Sequence, residues 1–172
     1  MRLLLRLVGD TRAAAAVEMA LVTPMLALIM LGSGELGRFF YNEHIVIKAV
    51  RDGAVYAARQ SIDKFNCSAS PPSIDGTVIA NTTALIQTGA LSGGTALTPQ
   101  AANAAATYTM TLTCPTAAPD GTTLGGIYAN NGGKVPVLTI NASVPYNTIM
   151  KGYGFGTTIT LHATQQAIVT AA

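Results

Sequence analysis

The chain has 172 residues, of which 49% are hydrophobic and 10% are charged, and its formal net charge is +2. The charged fraction is well under half of that in an average soluble domain, and the apolar content is ample for a core, which argues against intrinsic disorder. Ten basic residues against eight acidic ones are too few and too balanced for a nucleic-acid-binding surface. The length accommodates one domain of ordinary size plus an appendage.

The charges are distributed very unevenly along the chain. Residues 1–64 hold fourteen of the eighteen charged side chains, and residues 65–172 hold the other four. The mean hydropathy of +0.40 therefore averages two different parts. The N-terminal third is charged and has a helical pattern, and the remainder is rich in Thr, Ala, Gly and Asn.

An apolar segment near the N-terminus predicts a transmembrane helix over residues 14–34. The stretch from Ala13 to Gly34 contains one charge, Glu18, and its length fits the hydrocarbon core of a bilayer. Pro24 lies inside it and predicts a local kink, which membrane helices tolerate. Residues 1–13 carry three arginines and form a basic leader, which predicts a cytoplasmic N-terminus and a translocated body.

Two other interpretations of this segment remain open. A cleavable signal peptide would end near Gly34, and a buried helix of a soluble domain would show the same hydrophobicity. Glu18 inside the apolar run and the helical pattern that continues beyond it favour the membrane helix.

Residues 35–64 continue the helix outside the membrane. Apolar side chains recur at steps of three and four residues, and charged side chains occupy the other face. We therefore expect one helix that begins at Ala14 and ends near Ile62. Its apolar outer face should pack on the C-terminal domain of the same chain.

Residues 65–172 predict an extracytoplasmic α+β domain. A short helix should cover residues 74–88, capped by Ser73 and closed by Gly89, and a second one residues 98–106. Period-two alternation with Thr on the outer face predicts a half-buried antiparallel sheet. Its strands cover residues 107–114, 138–146 and 158–169, with turns at Gly132–Gly133 and Gly152–Gly156.

The two cysteines, Cys67 and Cys114, both lie in the proposed extracytoplasmic domain. Disulfides persist in such compartments, so we expect a bridge between them. Two free thiols are an alternative. A metal site is another, but it would require His44 and His162 to converge on both cysteines.

Three motifs give the N-terminal region a specific resemblance. The motifs are R-A-A-A-A-V-E-M-A-L-V-T-P-M-L, G-E-L-G-R-F-F-Y and A-V-R-D-G-A-V-Y-A-A-R. Together they resemble the TadE-like family of minor pilins, which belongs to the tight-adherence (Flp) branch of type IV pili. The resemblance is close over about residues 10–60. It implies a pilin-like α+β fold whose long N-terminal helix is embedded in the membrane in its lower half.

The resemblance also implies a processing site and a role for Glu18. A prepilin peptidase would cut between Ala13 and Ala14, although Ala13 replaces the usual Gly and Met19 replaces the usual aromatic residue. Glu18 would then be the fifth mature residue, and the new α-ammonium of a neighbouring subunit could neutralise it and set the axial register. Alternatively, Glu18 lies close enough to the cytoplasmic interface to be hydrated.

The resemblance implies that the protein is a structural pseudopilin that supports surface attachment. Its partners would be other pilin and minor pilin subunits, the assembly machinery of the bacterial inner membrane and a prepilin peptidase, with no cofactor and no nucleic acid. We expect no enzymatic activity, because the sequence lacks CxxC, HExxH, GxSxG and a phosphate-binding Gly-Lys-Ser/Thr loop. The alternative is a membrane-anchored binding module that contacts its ligand through the Thr-rich sheet and is not incorporated in a pilus.

Overall fold

The computed structural model describes residues 11–98, 105–116, 125–148 and 159–170. The fold is α+β, with a long apolar N-terminal helix and a small antiparallel sheet, which confirms the predicted class. The chain divides into two compact units, Met1–Phe40 and Tyr41–Ala172. The elements in chain order are α1 (Thr11–Ala58), β1 (Phe65–Asn66), β2 (Ser73–Ile74), α2 (Gly76–Thr88), β3 (Thr107–Thr113), β4 (Val137–Tyr146) and β5 (Ile159–Ile168).

Helix α1 is continuous over 48 residues, with Pro24 in its interior. In the first unit its apolar side chains are exposed, and none of the most apolar 18-residue window is buried. In the second unit one face of α1 is buried at Val46, Ala49, Val50, Ala54 and Ala57, at the spacing of a helix that packs on a core.

The end of α1 differs from the prediction. The helix ends at Ala58 and not near Ile62, because Arg59 N–H donates to the Tyr56 carbonyl and Gln60 N–H to the Ala57 carbonyl. These bonds span three residues and tighten the last turn, which leaves the α-helical path. A separate 3₁₀ turn follows over Ile62–Lys64.

Helix α2 begins two residues later than predicted. Asp75 is its N-cap, since its Oδ1 accepts a hydrogen bond of 2.8 Å from the Thr77 N–H. Ser73, the expected cap, belongs to β2. An ionised carboxylate is the better partner for the free N–H groups of a first turn. Gly89 closes the helix as predicted, with φ of 73° in the left-handed region.

The three long strands form one antiparallel sheet in the order β3–β4–β5. Their bounds agree with the predicted strands to within one residue at each end. The central strand β4 buries alternate side chains completely or nearly so: Leu138, Ile140, Ala142, Val144 and Tyr146. The opposite face carries exposed threonines from β3, as the alternation predicts.

Two predicted features lie wholly or mainly outside the described residues. The second short helix falls largely on residues 99–104, and its flanks, Thr98 and Ala105, have no helical structure. The turn at Gly152–Gly156 also lies outside. The predicted turn at Gly132–Gly133 is present, and both glycines have positive φ values, 67° and 71°.

Candidate assembly segment and the domain that follows it

The first unit presents an apolar helical surface on which the Thr23 and Ser33 hydroxyls are hydrogen-bonded within the helix. Large side chains between Val17 and Leu31 are 43–77% exposed, far more than the core of a soluble protein allows. Thr23 Oγ1 donates to the Met19 carbonyl at 2.6 Å, and Ser33 Oγ donates to the Met30 carbonyl at 3.0 Å. Because both hydroxyls are paired within the helix, this surface suits a solvent that offers no hydrogen bonds.

Glu18 lies on this surface, one helical turn after Ala14. Its side chain is exposed, and no described residue of its own chain forms an ion pair with it. A carboxylate in an apolar helical surface is costly in hydrocarbon and gains most from a cation supplied by another molecule. Ala13 and Ala14, the predicted processing site, lie in the same helix.

The domain's disulfide brings together the two cysteines singled out in the sequence. Cys67 and Cys114 are bonded, with their Cα atoms 5.7 Å apart. The bridge joins the segment after β1 to the end of β3, and Lys134 Nζ donates to the Cys67 carbonyl at 3.1 Å. Both thiols are thereby used, which argues against the metal alternative.

In the part of the chain that the structure describes, the two histidines do not form a metal site with this bridge. His44 is exposed on α1 and His162 is exposed on β5. Among the described residues there is no group of three His, Cys, Asp or Glu side chains placed to hold a metal ion.

An ion pair and a cap fix the start of α2. Lys64 Nζ lies 3.7 Å from Asp75 Oδ2, and Asp75 N–H donates to the Lys64 carbonyl at 2.8 Å. Hydrogen bonds from the Thr77 side chain and backbone, together with the nearby Lys64, lower the pKa of Asp75 below its ordinary value of 3.8. These charges serve the local fold at the base of α2.

A cavity lies between α1 and α2. Its volume is about 390 Å³, and it is lined by Tyr41, Ile45, Lys48, Ala49, Asp52, Leu85, Gly89 and Leu97. The lining has one lysine and one aspartate but neither a histidine nor a cysteine. It offers no nucleophile paired with a base, so its geometry gives no basis for assigning a reaction.

One contact that sequence reasoning did not single out lies where α1 meets α2. A Cβ on Gly53 would lie 2.6 Å from Ile86 Cγ1 and 3.3 Å from Thr82 Cγ2. Nearby, Asn81 Nδ2 donates to the Tyr56 hydroxyl at 3.2 Å. The sequence feature that could have indicated this contact is a glycine on the apolar face of a helix.

The sequence model of the family described as TadE-like protein matches residues 13–55. This match confirms the resemblance over most of α1 and associates the segment with the tight-adherence pilus system. It ends before the 3₁₀ turn at Ile62–Lys64, so the disulfide and the strands of the α+β unit lie beyond it. No curated protein and no solved structure is significantly similar to the chain.

Proposed function

We propose that the protein is a membrane-anchored structural subunit, a minor pilin or pseudopilin, of a tight-adherence pilus, acting in its assembly or initiation. The observation that carries this proposal is that the family match and the exposed apolar surface fall on the same helix. The TadE-like match covers residues 13–55, and the same helix exposes an apolar surface long enough to cross a membrane. The role proposed is one of subunit contact and not of catalysis.

The proposed topology follows from charge and chemistry. The arginines of residues 1–13 would stay in the cytoplasm, residues 14–34 would cross the inner membrane, and the domain would lie in the periplasm. The Cys67–Cys114 disulfide supports this placement of the domain, since such bonds persist in oxidising compartments.

In this proposal Glu18 sets the register between subunits. Removal of the leader after Ala13 would create an α-ammonium on Ala14, and this cation would pair with Glu18 of a neighbouring subunit. Each charge alone in hydrocarbon is costly, whereas the pair is much less so. The partners are thus other pilin and minor pilin subunits, with the prepilin peptidase and the inner-membrane assembly machinery acting before them.

The experiment replaces Glu18 with Ala in cells that produce the pilus. We expect normal membrane insertion and an intact Cys67–Cys114 disulfide, but loss of pili by electron microscopy and of surface attachment. Glu18→Asp should restore assembly in part, because it keeps the charge. Ser33→Ala, in the same exposed helix, is the matched control and should assemble normally. Normal piliation with Glu18→Ala would show that Glu18 does not set the register.

A further inference from the structure

The two edges of the β3–β4–β5 sheet differ in how they are protected. Beside β3, the segment with Pro71, Pro72 and Ile74 lies against Met110 and Leu112 and lines a cavity with them. Prolines and a covering segment are common means of blocking the edge of a sheet. Within the described parts of the chain, β5 pairs with β4 on one side and with no strand on the other.

The hydrogen bonds identify which residues of β5 face outward. Val169 N–H donates to the Pro136 carbonyl, on the β4 side, so the odd-numbered residues direct their main-chain groups toward β4. The even-numbered residues therefore direct theirs away from the sheet. This outward-facing set, called here the free edge, consists of Thr160, His162, Thr164, Gln166 and Ile168.

The remaining bonds agree with this assignment. The side-chain amide of Gln165 donates to the Gln166 carbonyl at 3.1 Å, in the place of the N–H of a further strand. Just past the strand, Thr170 N–H donates to the Ala58 carbonyl at 3.2 Å, which ends the free edge. Apart from the Gln166 carbonyl, the main-chain groups of the free edge have no hydrogen-bond partner among the described residues.

Strand β5 lacks the features that usually prevent pairing with another chain. It is ten residues long, with no Pro, Lys, Arg, Asp or Glu. Its register with β4 runs one to one from Tyr146–Ile159 to Val137–Ile168, without a bulge. A long, regular, uncharged edge is a template for strand addition.

We propose that β5 pairs with β5 of a second copy, antiparallel, about a two-fold axis through Thr164. Thr164 is the middle residue of the free edge, so this register uses every outward main-chain group. It places Thr164 opposite Thr164, His162 opposite Gln166, and Thr160 opposite Ile168. No pair joins like charges, which would oppose association. The product is a six-stranded sheet with an isologous interface.

A second copy suits this edge better than a charged partner strand, because the edge offers no counter-charge. The proposal rests on the domain alone and does not depend on a role in a pilus. If β5 does not pair with a second copy, the proposed function is not affected.

The test uses the full-length chain in detergent with Thr164→Cys. The two natural cysteines are bonded to each other, so the new thiol is the only free one. In the proposed register the new thiols of the two copies face each other across the axis, at a separation that a disulfide spans. Mild oxidation should then give a dimer on a non-reducing gel.

Thr109→Cys is the matched control. Thr109 and Thr164 flank Asn141 in the same row of the sheet, and both are exposed, but Thr109 lies on β3. We expect a dimer fraction about tenfold higher for Thr164→Cys than for Thr109→Cys, since only the former meets the geometric requirement for a disulfide. Adding Gln166→Pro, which removes an outward N–H, should abolish the difference.

Three results would overturn the proposal. The first is a Thr164→Cys chain that stays monomeric while its Cys67–Cys114 bond is intact. The second is an equal dimer yield for Thr109→Cys, and the third is a Thr164→Cys dimer yield unaffected by Gln166→Pro. If Thr164→Cys does not fold, the double variant His162→Cys/Gln166→Cys tests the same register, because these residues face each other across the axis.

Discussion

Gly53 lies where α1 meets α2, and the packing there leaves no room for a side chain. The nearest atoms to a Cβ at this position are Cγ1 and Cδ1 of Ile86, at 2.6 and 2.9 Å, and Ile86 is itself almost fully buried. A side chain there would have to displace a branched residue that has no free space. Thr82 Oγ1, also buried beside Gly53, has no hydrogen-bond partner among the described residues, so the contact depends on van der Waals packing.

We predict that Gly53→Val destabilises the protein by about 1–3 kcal/mol through overpacking. The melting temperature of the full-length chain in detergent should fall by about 2–4 °C for each kcal/mol lost. Gly76→Ala is the control, because nothing lies within 4 Å of a Cβ at that helical glycine. An unchanged melting temperature for Gly53→Val would show that the helices are not in close contact at this position.

At the scale of elements, the disulfide is the covalent link between the segment after β1 and the sheet. Its partners are 47 residues apart in the chain, and α2 lies between them. A link that closes a loop of this size removes much of the freedom of the unfolded chain. The bond therefore restrains α2 and β3 together.

We predict that the double variant Cys67→Ala/Cys114→Ala loses about 4 kcal/mol of stability, by the chain-entropy relation for a loop of this length. Chemical unfolding of the purified full-length chain measures this loss. Reducing the wild-type protein should produce a similar loss, which separates the effect of the bond from that of the substituted side chains. If reduction leaves the unfolding midpoint unchanged, the bond does not restrain the domain.

The sequence predicted these elements well where apolar and polar residues alternated regularly. Alternation located the three strands of the sheet within one residue, since one face of each strand is largely buried and the other is polar. Helix ends were harder to predict, because they depend on local hydrogen bonds. Asp75 displaced Ser73 as the cap of α2, and α1 ended in a tightened turn before Ile62.

Features that depend on tertiary placement could not be predicted. The strand order and the close contact of Gly53 with Ile86 arise only when distant segments meet. The outward direction of main-chain groups along β5 likewise follows from its pairing with β4. By contrast, Glu18 could be singled out from sequence alone, because a single carboxylate in an apolar run stands out without any tertiary information, and its role in the register stays a prediction.

The whole molecule combines a segment with a family likeness and a domain beyond the match. Residues 13–55 match the TadE-like model, and the domain from β1 onward supplies a disulfide and a sheet whose β5 edge has no paired strand among the described residues. The uneven charge of the chain follows this division, since residues 65–172 hold only four of the eighteen charged side chains. The central claim is that the chain is processed and assembled as a pilin.

The most direct test of this claim is the intact mass of the protein purified from its own membrane. We predict a chain that begins at Ala14, because a prepilin peptidase would cut after Ala13 and free the ammonium that pairs with Glu18. A chain that begins at Glu35 would indicate a cleaved signal peptide, and one that retains Met1 would indicate a simple membrane anchor. Either of these two results would contradict the pilin account.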